Sequence, residues 1–292
     1  MASAENMRAV YTISDNITSP LGSTTQENFS NLKNDLTGIR KHDNPAMSNT
    51  AFHASLFPPD KATLPSAVLF AVDESRDWSL FERILIHSIK DASTGTAVDL
   101  TSERVIFVIS STKGNISMVE NESGSSPENI SLYHSAGLIA SHFNNPNQPL
   151  VVSNACISGV LGILTAKRLI EAGLYDTAVV AGADLITKFI LSGFQSFQAV
   201  SPEPCKPFDA TRQGVTLGEA AATMIISADR TPGQPAVRVM GGATSNDANH
   251  ISGPSRTGEP LYHAITRSLA EAGLKASDIG FISAHGTATV YN

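Results

Sequence analysis

The sequence is poor in cysteine and tryptophan. It contains only 2 cysteines and 1 tryptophan in 292 residues. Two cysteines can form neither a disulfide framework nor a zinc site made of four thiolates. This composition favours a reducing compartment. Charged residues make up 16%, below the roughly 25% of an average soluble protein, whereas 41% of the residues are hydrophobic. A chain of this length and composition can bury a sizeable core.

Positive charge and long apolar runs are scarce as well. Lys and Arg number 20 against 27 Asp and Glu, so the formal net charge is -7. A protein that binds the phosphate backbone needs a basic surface, so we expect no nucleic acid partner. No run approaches the roughly 18 apolar residues of a membrane helix. The first residues, MASAENMRAVYTISDN, lack the apolar core of a signal peptide. We therefore expect a cytoplasmic protein with no membrane span.

Apolar residues recur in an alternation of strand and helix patterns. The periodicity predicts strands at 8–13, 105–109, 149–152, 177–181, 222–227, 237–240 and 279–283. It predicts helices between them at 25–36, 79–91, 135–143, 158–172 and 261–272. This pattern indicates an α/β fold with buried sheets. The break TPGQP at 231–235 suggests a first domain over 1–232 and a second βαβ run over 233–292.

The most informative local feature is the junction VVSNACISGVLG at 151–162. An apolar strand leads into Cys156, and a helix rich in small residues follows directly. A thiol at a helix N-terminus faces free backbone N–H groups and the positive end of the helix dipole. Both favour the thiolate, as a cysteine nucleophile requires. The alternative is a buried, inert cysteine.

A second candidate site lies at FISAHGTATVYN, where an apolar strand pattern ends at His285. The imidazole could donate to a substrate carbonyl, and the hydroxyls of Thr287 and Thr289 could hold a polar ligand. A surface or core histidine without such a role is the alternative, and the sequence cannot show whether Cys156 and His285 meet.

A third segment, KPFDATRQGVTLGEAAATMII at 206–226, is rich in turns and leads into a buried strand pattern. It carries Phe208, Asp209 and Arg212, and it is either a structural loop with an Asp–Arg pair or part of a site lining. Cys205 precedes it and has no role that we can assign.

Together these segments resemble the β-ketoacyl synthase family of the thiolase superfamily. NACISG around Cys156 is similar to the family's nucleophile motif, KPFDATRQGVTLGEAAA to its (R/K)PFD…R.G..LGE.AA signature, and SAHGTAT to its first histidine motif. SNDANHISGPS at 245–255 and SPLGSTTQENFSNLKNDLTGI at 19–39 resemble two further family segments in the right order.

The resemblance implies a thiolase-like fold, in which two similar βα halves stack as αβαβα layers, and it implies a homodimer. It also implies a decarboxylative condensation. Cys156 would accept an acyl group from a thioester on acyl carrier protein or coenzyme A, and a decarboxylated malonyl thioester would attack it. His285 would stabilise the enolate, and the backbone N–H of Cys156 would contribute to an oxyanion hole.

The same resemblance assigns the binding contacts. Thr287 and Thr289 would contact the phosphopantetheine arm, and we expect Phe208 to contact the substrate beside them. No bound cofactor is expected, because the phosphopantetheine belongs to the substrate. Acyl carrier protein is the expected partner.

Departures from the family pattern qualify this expectation. The family has a second catalytic histidine in a GH.LGAAG-like motif, a lysine motif before it and a Gly/Phe-rich loop near the C-terminus, whereas this sequence ends soon after HGTAT. We therefore expect a complete N-terminal half and a truncated C-terminal half. Three interpretations follow: a fragment of a longer synthase, one part of a split enzyme completed by a C-terminal half, or a non-catalytic relative that binds acyl carriers. A Cys–His hydrolase is a further alternative that the spacing does not support.

Overall fold

A computed structural model describes residues 8–73, 76–120, 127–231, 233–247, 255 and 257–290. The strands are β1 (Tyr11–Thr18), β2 (Arg40–His42), β3 (Phe52–Ser55), β4 (Val105–Ser110), β5 (Leu150–Val152), β6 (Thr177–Asp184), β7 (Leu217–Gly218), β8 (Ala220–Ser227) and β9 (Val237–Arg238). The helices are α1 (Thr25–Lys33), α2 (Ser66–Leu69), α3 (Leu80–Ser93), α4 (Ser117–Glu120), α5 (Pro127–Ile130), α6 (Leu132–His142), α7 (Ser158–Glu171), α8 (Lys188–Ser196) and α9 (Glu259–Ala272).

A six-stranded sheet organises the described chain, with strand order β5-β4-β6-β8-β1-β9. β4 runs parallel to both β5 and β6, as in a βαβ unit. β8 is antiparallel to β6 and to β1. A smaller sheet has the order β2-β3-β7. Because β4, β5 and β6 are parallel, their carboxyl ends meet at one edge of the large sheet.

Helices cover both faces of the large sheet and make a three-layer α/β/α arrangement. Along β4, Phe107 and Ile109 face the core shared with α3 and α6, whereas Ile106 and Val108 pack with α7 on the opposite face. Every residue of β4 is buried. The wholly apolar run VIFVI at 105–109 therefore fits a strand that is covered on both faces.

The sequence explains where α3 begins and where α7 ends. Ser79 caps α3, because its side chain accepts from the Glu82 N–H while the Glu82 carboxylate accepts from the Ser79 N–H. Nearly all of α3 is buried, in agreement with its predicted apolar face. α7 ends before Gly173, which has a left-handed φ of 72° and closes the helix as predicted.

The N-terminal helix differs from its prediction. The spacing of Phe29, Leu32 and Leu36 predicts a helix over 25–36, whereas α1 ends at Lys33 and all three side chains are exposed. Asn28 is the buried residue of α1, and its amide donates to the carbonyls of Ile17, Gly22 and Thr24. Polar anchoring, rather than an apolar face, therefore holds this helix on β1.

The region after residue 233 does not form the predicted second strand–helix–strand unit within the described chain. β9 covers only Val237–Arg238 and joins the large sheet by pairing with β1. The prediction of a strand over 279–283 is wrong for this structure, because the segment is irregular there. Phe281 is 86% exposed and Ile282 is 83% exposed. A strand needs a neighbour for its backbone N–H and C=O groups, and this segment has none in the described part of the chain.

α9 forms as predicted and is fastened to α7 by one buried cation. Lys167 is 2% exposed and donates to Glu171 of its own helix at 2.7 Å and to Glu271 of α9 at 2.6 Å.

None of the described helices is long and apolar enough to cross a membrane. The predicted division at residues 232 and 233 stays a prediction.

Candidate active site

Cys156 lies in a tight turn at the carboxyl edge of the large sheet. β5 ends at Val152, α7 begins at Ser158, and the Cys156 side chain is exposed between them. Ala155 has a left-handed φ of 45°, which is uncommon for a residue with a side chain. The Ser158 hydroxyl fixes the turn, because it accepts from the Asn154 N–H at 2.8 Å and donates to the Ala155 carbonyl at 2.7 Å. The strained turn points the thiol outward.

The helix that follows Cys156 supplies an electropositive N-terminus. Ile157 is the N-cap residue of α7 and offers no side-chain acceptor to the first turn. The positive end of the dipole of this 14-residue helix therefore lies next to Cys156. The prediction that Cys156 stands at a strand–helix junction is confirmed.

Cys156 opens onto a cavity of about 560 Å³ between α7 and the large sheet. Two glycines allow the close packing behind it. A Cβ at Gly162 would lie 2.7 Å from the Ser110 hydroxyl, and one at Gly182 would lie 2.9 Å from the Ser110 carbonyl. The cavity lining includes Ile17, Gly159, Ala222 and Met224. Its wall is therefore largely apolar next to an exposed thiol.

Polar groups line part of the same cavity. Ser111 donates to the carboxylate of Asp184 at 2.9 Å, and both residues line the cavity. The Ser111 hydroxyl also accepts from the Gly114 N–H, which holds the loop after β4. Sequence reasoning missed this pair, although both residues stand at the carboxyl ends of predicted parallel strands, where sites of open α/β sheets occur.

Glu219 belongs to the third segment identified in the sequence, whose part in a site lining the sequence leaves open. Its buried carboxylate accepts from the Ile186 N–H at 2.9 Å and from the Phe57 N–H at 2.7 Å. Burial raises the pKa of Glu219, and the two backbone N–H groups act in the opposite direction. Its neighbours Gly218 and Ala220 line the cavity. In the sequence, the feature that marks Glu219 is its place inside the LGE motif.

The predicted histidine loop lies against the segment that contains Phe208. His285 is exposed, and Gly286 packs so closely beneath Phe208 that a Cβ there would lie 2.6 Å from the ring. The hydroxyls of Thr287 and Thr289 are 3.0 Å apart and hydrogen-bonded. The structure thus places the Phe208 ring against Gly286, which directly precedes the two threonines in the chain.

The predicted Asp–Arg pair has different partners from those expected. The Asp209 carboxylate accepts from the Thr211 N–H and hydroxyl, both at 2.7 Å. These hydrogen bonds lower the pKa of Asp209, opposed by slight burial and helped by Lys206 and Arg212 nearby. The Arg212 guanidinium instead donates to the carbonyls of Thr289 and Val290, at 2.8 Å and 3.1 Å. Carbonyls of a loop far along the chain cannot be recognised from the sequence.

The structure does not bring all the predicted site residues into one cavity. His285, Thr287 and Thr289 are not among the described residues that line the Cys156 cavity. The roles of Cys156, His285, Phe208, Thr287 and Thr289 stay predictions. The SNDANHISGPS segment lies largely outside the described residues. Among the described residues, no cluster of His, Cys, Asp and Glu could hold a metal ion.

Two family models match almost the whole chain. The model described as beta-ketoacyl synthase, N-terminal domain, matches residues 7–231, and the one described as beta-ketoacyl synthase, C-terminal domain, matches residues 236–292. A 3-oxoacyl-[acyl-carrier-protein] synthase 2 of Rhizobium meliloti is 36% identical over 50% of this chain and 37% of its own length. A mitochondrial protein of Schizosaccharomyces pombe, described as a 3-oxoacyl-[acyl-carrier-protein] synthase, is 25% identical over 92% of this chain and 71% of its own length.

The fold has solved counterparts. The ketosynthase ApeO of Xenorhabdus doucetiae, determined in complex with its chain length factor ApeC, matches 100% of this chain and 75% of its own, with a TM-score of 0.78 and 25% identity. A β-ketoacyl synthase from Burkholderia phymatum matches 98% of this chain with a TM-score of 0.74. The predicted α/β thiolase-like fold is confirmed. On its motifs, its fold and the two family models, this chain belongs to the β-ketoacyl synthase family of the thiolase superfamily.

Proposed function

We propose that this chain carries out the acyl-transfer chemistry of a decarboxylative Claisen condensation in fatty-acid or polyketide-like synthesis. The observation that carries the proposal is the exposed Cys156 thiol, which stands on a strained turn at the N-terminus of α7 and opens onto an apolar cavity. An acyl chain bound to the thiol would find an apolar wall beside it. Contact with this wall removes the apolar surface of the acyl chain from water, which stabilises its binding.

The first step is transfer of the acyl group. The Cys156 sulfur attacks the carbonyl carbon of an acyl thioester, and the bond between that carbon and the carrier's sulfur breaks. The thiol proton of Cys156 passes to the departing thiolate. We assign stabilisation of the oxyanion that forms during the attack to the N–H of Cys156.

The second step joins two carbon units. A malonyl thioester loses CO₂, and the electron pair of the broken C–C bond remains on the α-carbon as an enolate. We assign stabilisation of the enolate oxygen to His285. The α-carbon then attacks the acyl carbonyl, the thiolate of Cys156 leaves, and a β-ketoacyl thioester remains on the carrier. Thr287, Thr289 and Phe208 hold the phosphopantetheine arm in this assignment, and no resident cofactor takes part.

The partner in this proposal is acyl carrier protein, in the cytoplasm. The names of both relatives described above include acyl carrier protein as the carrier. A homodimer follows from the family resemblance. The outer side of β5 supports it, because β5 is an edge strand of the large sheet in the described part of the chain and Leu150 is 38% exposed there.

A complementing C-terminal half is the second candidate partner. It is favoured by the exposed apolar side chains of α9, Leu261 and Tyr262, and by those of Phe281 and Ile282. Light scattering on the purified chain separates the two assemblies. Twice the chain mass supports the homodimer, whereas a monomer that becomes stable only with an added second polypeptide supports the complementing half.

Mass spectrometry of Cys156 tests the acyl-transfer step. The chain is incubated with an acyl thioester of acyl carrier protein, and the peptide that contains Cys156 is expected to gain the mass of the acyl group. Cys156→Ala should lose the adduct. Cys205→Ala is the matched control and should keep it, because Cys205 is the other cysteine and its backbone N–H is bonded to Thr216. A folded chain that forms no adduct contradicts the proposal.

A non-catalytic relative that binds acyl carriers is the second candidate function. It is favoured by the position of His285, which is not among the described residues that line the Cys156 cavity. Malonyl decarboxylation distinguishes the two functions. Release of CO₂ from malonyl carrier protein by this chain would exclude the non-catalytic candidate, whereas carrier binding without release would favour it.

A further inference from the structure

Three segments that are far apart in the sequence stack side by side next to the histidine loop. Val215 donates its N–H to the Ala199 carbonyl at 2.7 Å, and Ser201 donates to the Val215 carbonyl at 2.9 Å. Gly214 donates to the Ala288 carbonyl at 2.8 Å. Backbone hydrogen bonds thus connect residues 199–201 to residues 214–215, and they connect Gly214 to Ala288 of the histidine loop.

Gly214 is required for this close approach. Its φ is 140°, and a Cβ at this position would lie 2.4 Å from the Ala199 carbonyl oxygen. Because only glycine lacks the Cβ, the backbone at 214 can contact residue 199 on one side and residue 288 on the other. The segment around Gly214 is therefore shaped to receive the histidine loop.

Arg212 makes the second attachment between this segment and the loop. Its Nε donates to the Thr289 carbonyl at 2.8 Å, and its Nη2 donates to the Val290 carbonyl at 3.1 Å. Its Nη1 donates to the Asp209 carbonyl at 3.0 Å, which orients the guanidinium. The planar group thus binds two successive loop carbonyls at once, a geometry that lysine cannot reproduce.

The loop has little other support on its N-terminal side. Residues 279–284 are in neither helix nor strand, and Phe281 and Ile282 are more than four-fifths exposed. Among the described residues, the fixed point before the threonines is the contact of Gly286 with the Phe208 ring. His285 directly precedes that contact. Its position therefore depends on the attachments made by 208–214.

We propose that Arg212 is a positioning residue, which fixes the His285 loop by binding the carbonyls of Thr289 and Val290. The importance of the loop for the reaction rests on the function proposed above. Cys156 is held by a separate set of bonds, those of Ser158. Loss of the guanidinium therefore disturbs the His285 loop and leaves the turn that holds Cys156 intact.

Histidine-selective NMR tests this proposal on the full chain. The ring signal of His285, assigned with His285→Gln, is compared in the wild-type chain, Arg212→Ala and Arg212→Met. The Met variant keeps an unbranched apolar side chain in case the Ala variant does not fold. Arg40→Ala is the matched control, because the Arg40 guanidinium also binds two carbonyls, those of Thr37 and Ile39, in its own loop.

We expect the His285 signal to shift or broaden in both Arg212 variants and to stay at its wild-type position in Arg40→Ala. Hydrogen exchange of the Gly214 amide should become at least tenfold faster, while the rate of Cys156 alkylation by iodoacetamide, which needs no phosphopantetheine contact, stays within twofold of wild type. An unchanged His285 signal in a folded Arg212 variant overturns the proposal, as does an equal change in Arg40→Ala. A wild-type chain without acylation contradicts the proposed function alone, because the NMR comparison still decides the role of Arg212.

Discussion

Two segments with similar apolar sequences have opposite environments in this molecule. β4 reads VIFVIS and is buried along its whole length, whereas residues 279–284 read IGFISA and are exposed. β4 has β5 and β6 on its two sides and helices on both faces. Residues 279–284 have no strand beside them in the described part of the chain. Apolar, β-branched sequence thus favours a strand, but hydrogen-bonded neighbours decide whether one forms.

The helices show the same contrast. α3 and α9 are both 14 residues long. Most of α3 is buried and its N-terminus has a capping box, whereas no residue of α9 is buried and Gly258 precedes it without a side-chain cap. α3 packs on the large sheet, and the contact of α9 with the rest of the described chain depends on few groups. The region formed by the large sheet and α3 is therefore stabilised by its core. The region after residue 233, which contains α9, is stabilised by individual contacts.

The largest expected effect separates two phenylalanines. Phe107 in β4 is 0% exposed and stacks on Phe143 at 5.6 Å, so Phe107→Ala should lower the free energy of unfolding by about 3–5 kcal/mol. Phe281→Ala removes the same atoms from a side chain that is 86% exposed and should change it by less than about 0.5 kcal/mol. Urea denaturation measures both. An equal loss in the two variants would show that residues 279–284 are buried in solution.

The contrast also shows what the sequence could predict. Periodicity located β4, α3 and α7 because each buries an apolar face along its own length. The position of Cys156 could be predicted too, since strand, cysteine and helix are adjacent in the chain. The partners of Arg212 and Glu219 could not. Their contacts join residues distant in sequence, and a carbonyl or N–H group of the backbone has no residue type that would reveal it.

A smaller effect is expected at the connection between the two regions. Lys167→Met keeps the length of the buried side chain but removes the cation between Glu171 and Glu271. Because the two carboxylates then lose their common partner, we expect a loss of about 1–3 kcal/mol. Hydrogen exchange should become faster in α9, at 259–272, and stay unchanged in α3.

The control for that comparison is a side-chain contact confined to α9. Glu259 contacts His263 at 3.3 Å, and both side chains are more than half exposed. Glu259→Gln should therefore change the free energy of unfolding by less than about 0.5 kcal/mol. If this change loosens α9 as much as Lys167→Met does, then the helix is not held through Lys167.

The smallest effect is expected in the pH dependence of stability, where one glutamate from each region should act in opposite directions. Burial raises the pKa of Glu219, so its contribution to stability is complete below about pH 4.5, the ordinary glutamate value, and is lost as the pH rises through the higher folded value. For Glu271, burial raises the pKa but the hydrogen bond and charge of Lys167 outweigh it, so the pKa is lowered. Its contribution is present above about pH 4.5 and is lost as the pH falls through the lower folded value.

Variants of the two residues separate these contributions. Glu219→Gln should remove a loss of stability that occurs as the pH rises above about 4.5, and Glu271→Gln should remove a loss that occurs as the pH falls below it. Urea denaturation of wild type and both variants from acidic to neutral pH measures the slopes, and the slope counts rather than the offset, since each variant also loses a hydrogen-bond acceptor. Slopes that change in the same direction would contradict the contrast between a carboxylate buried in the core and one paired with Lys167.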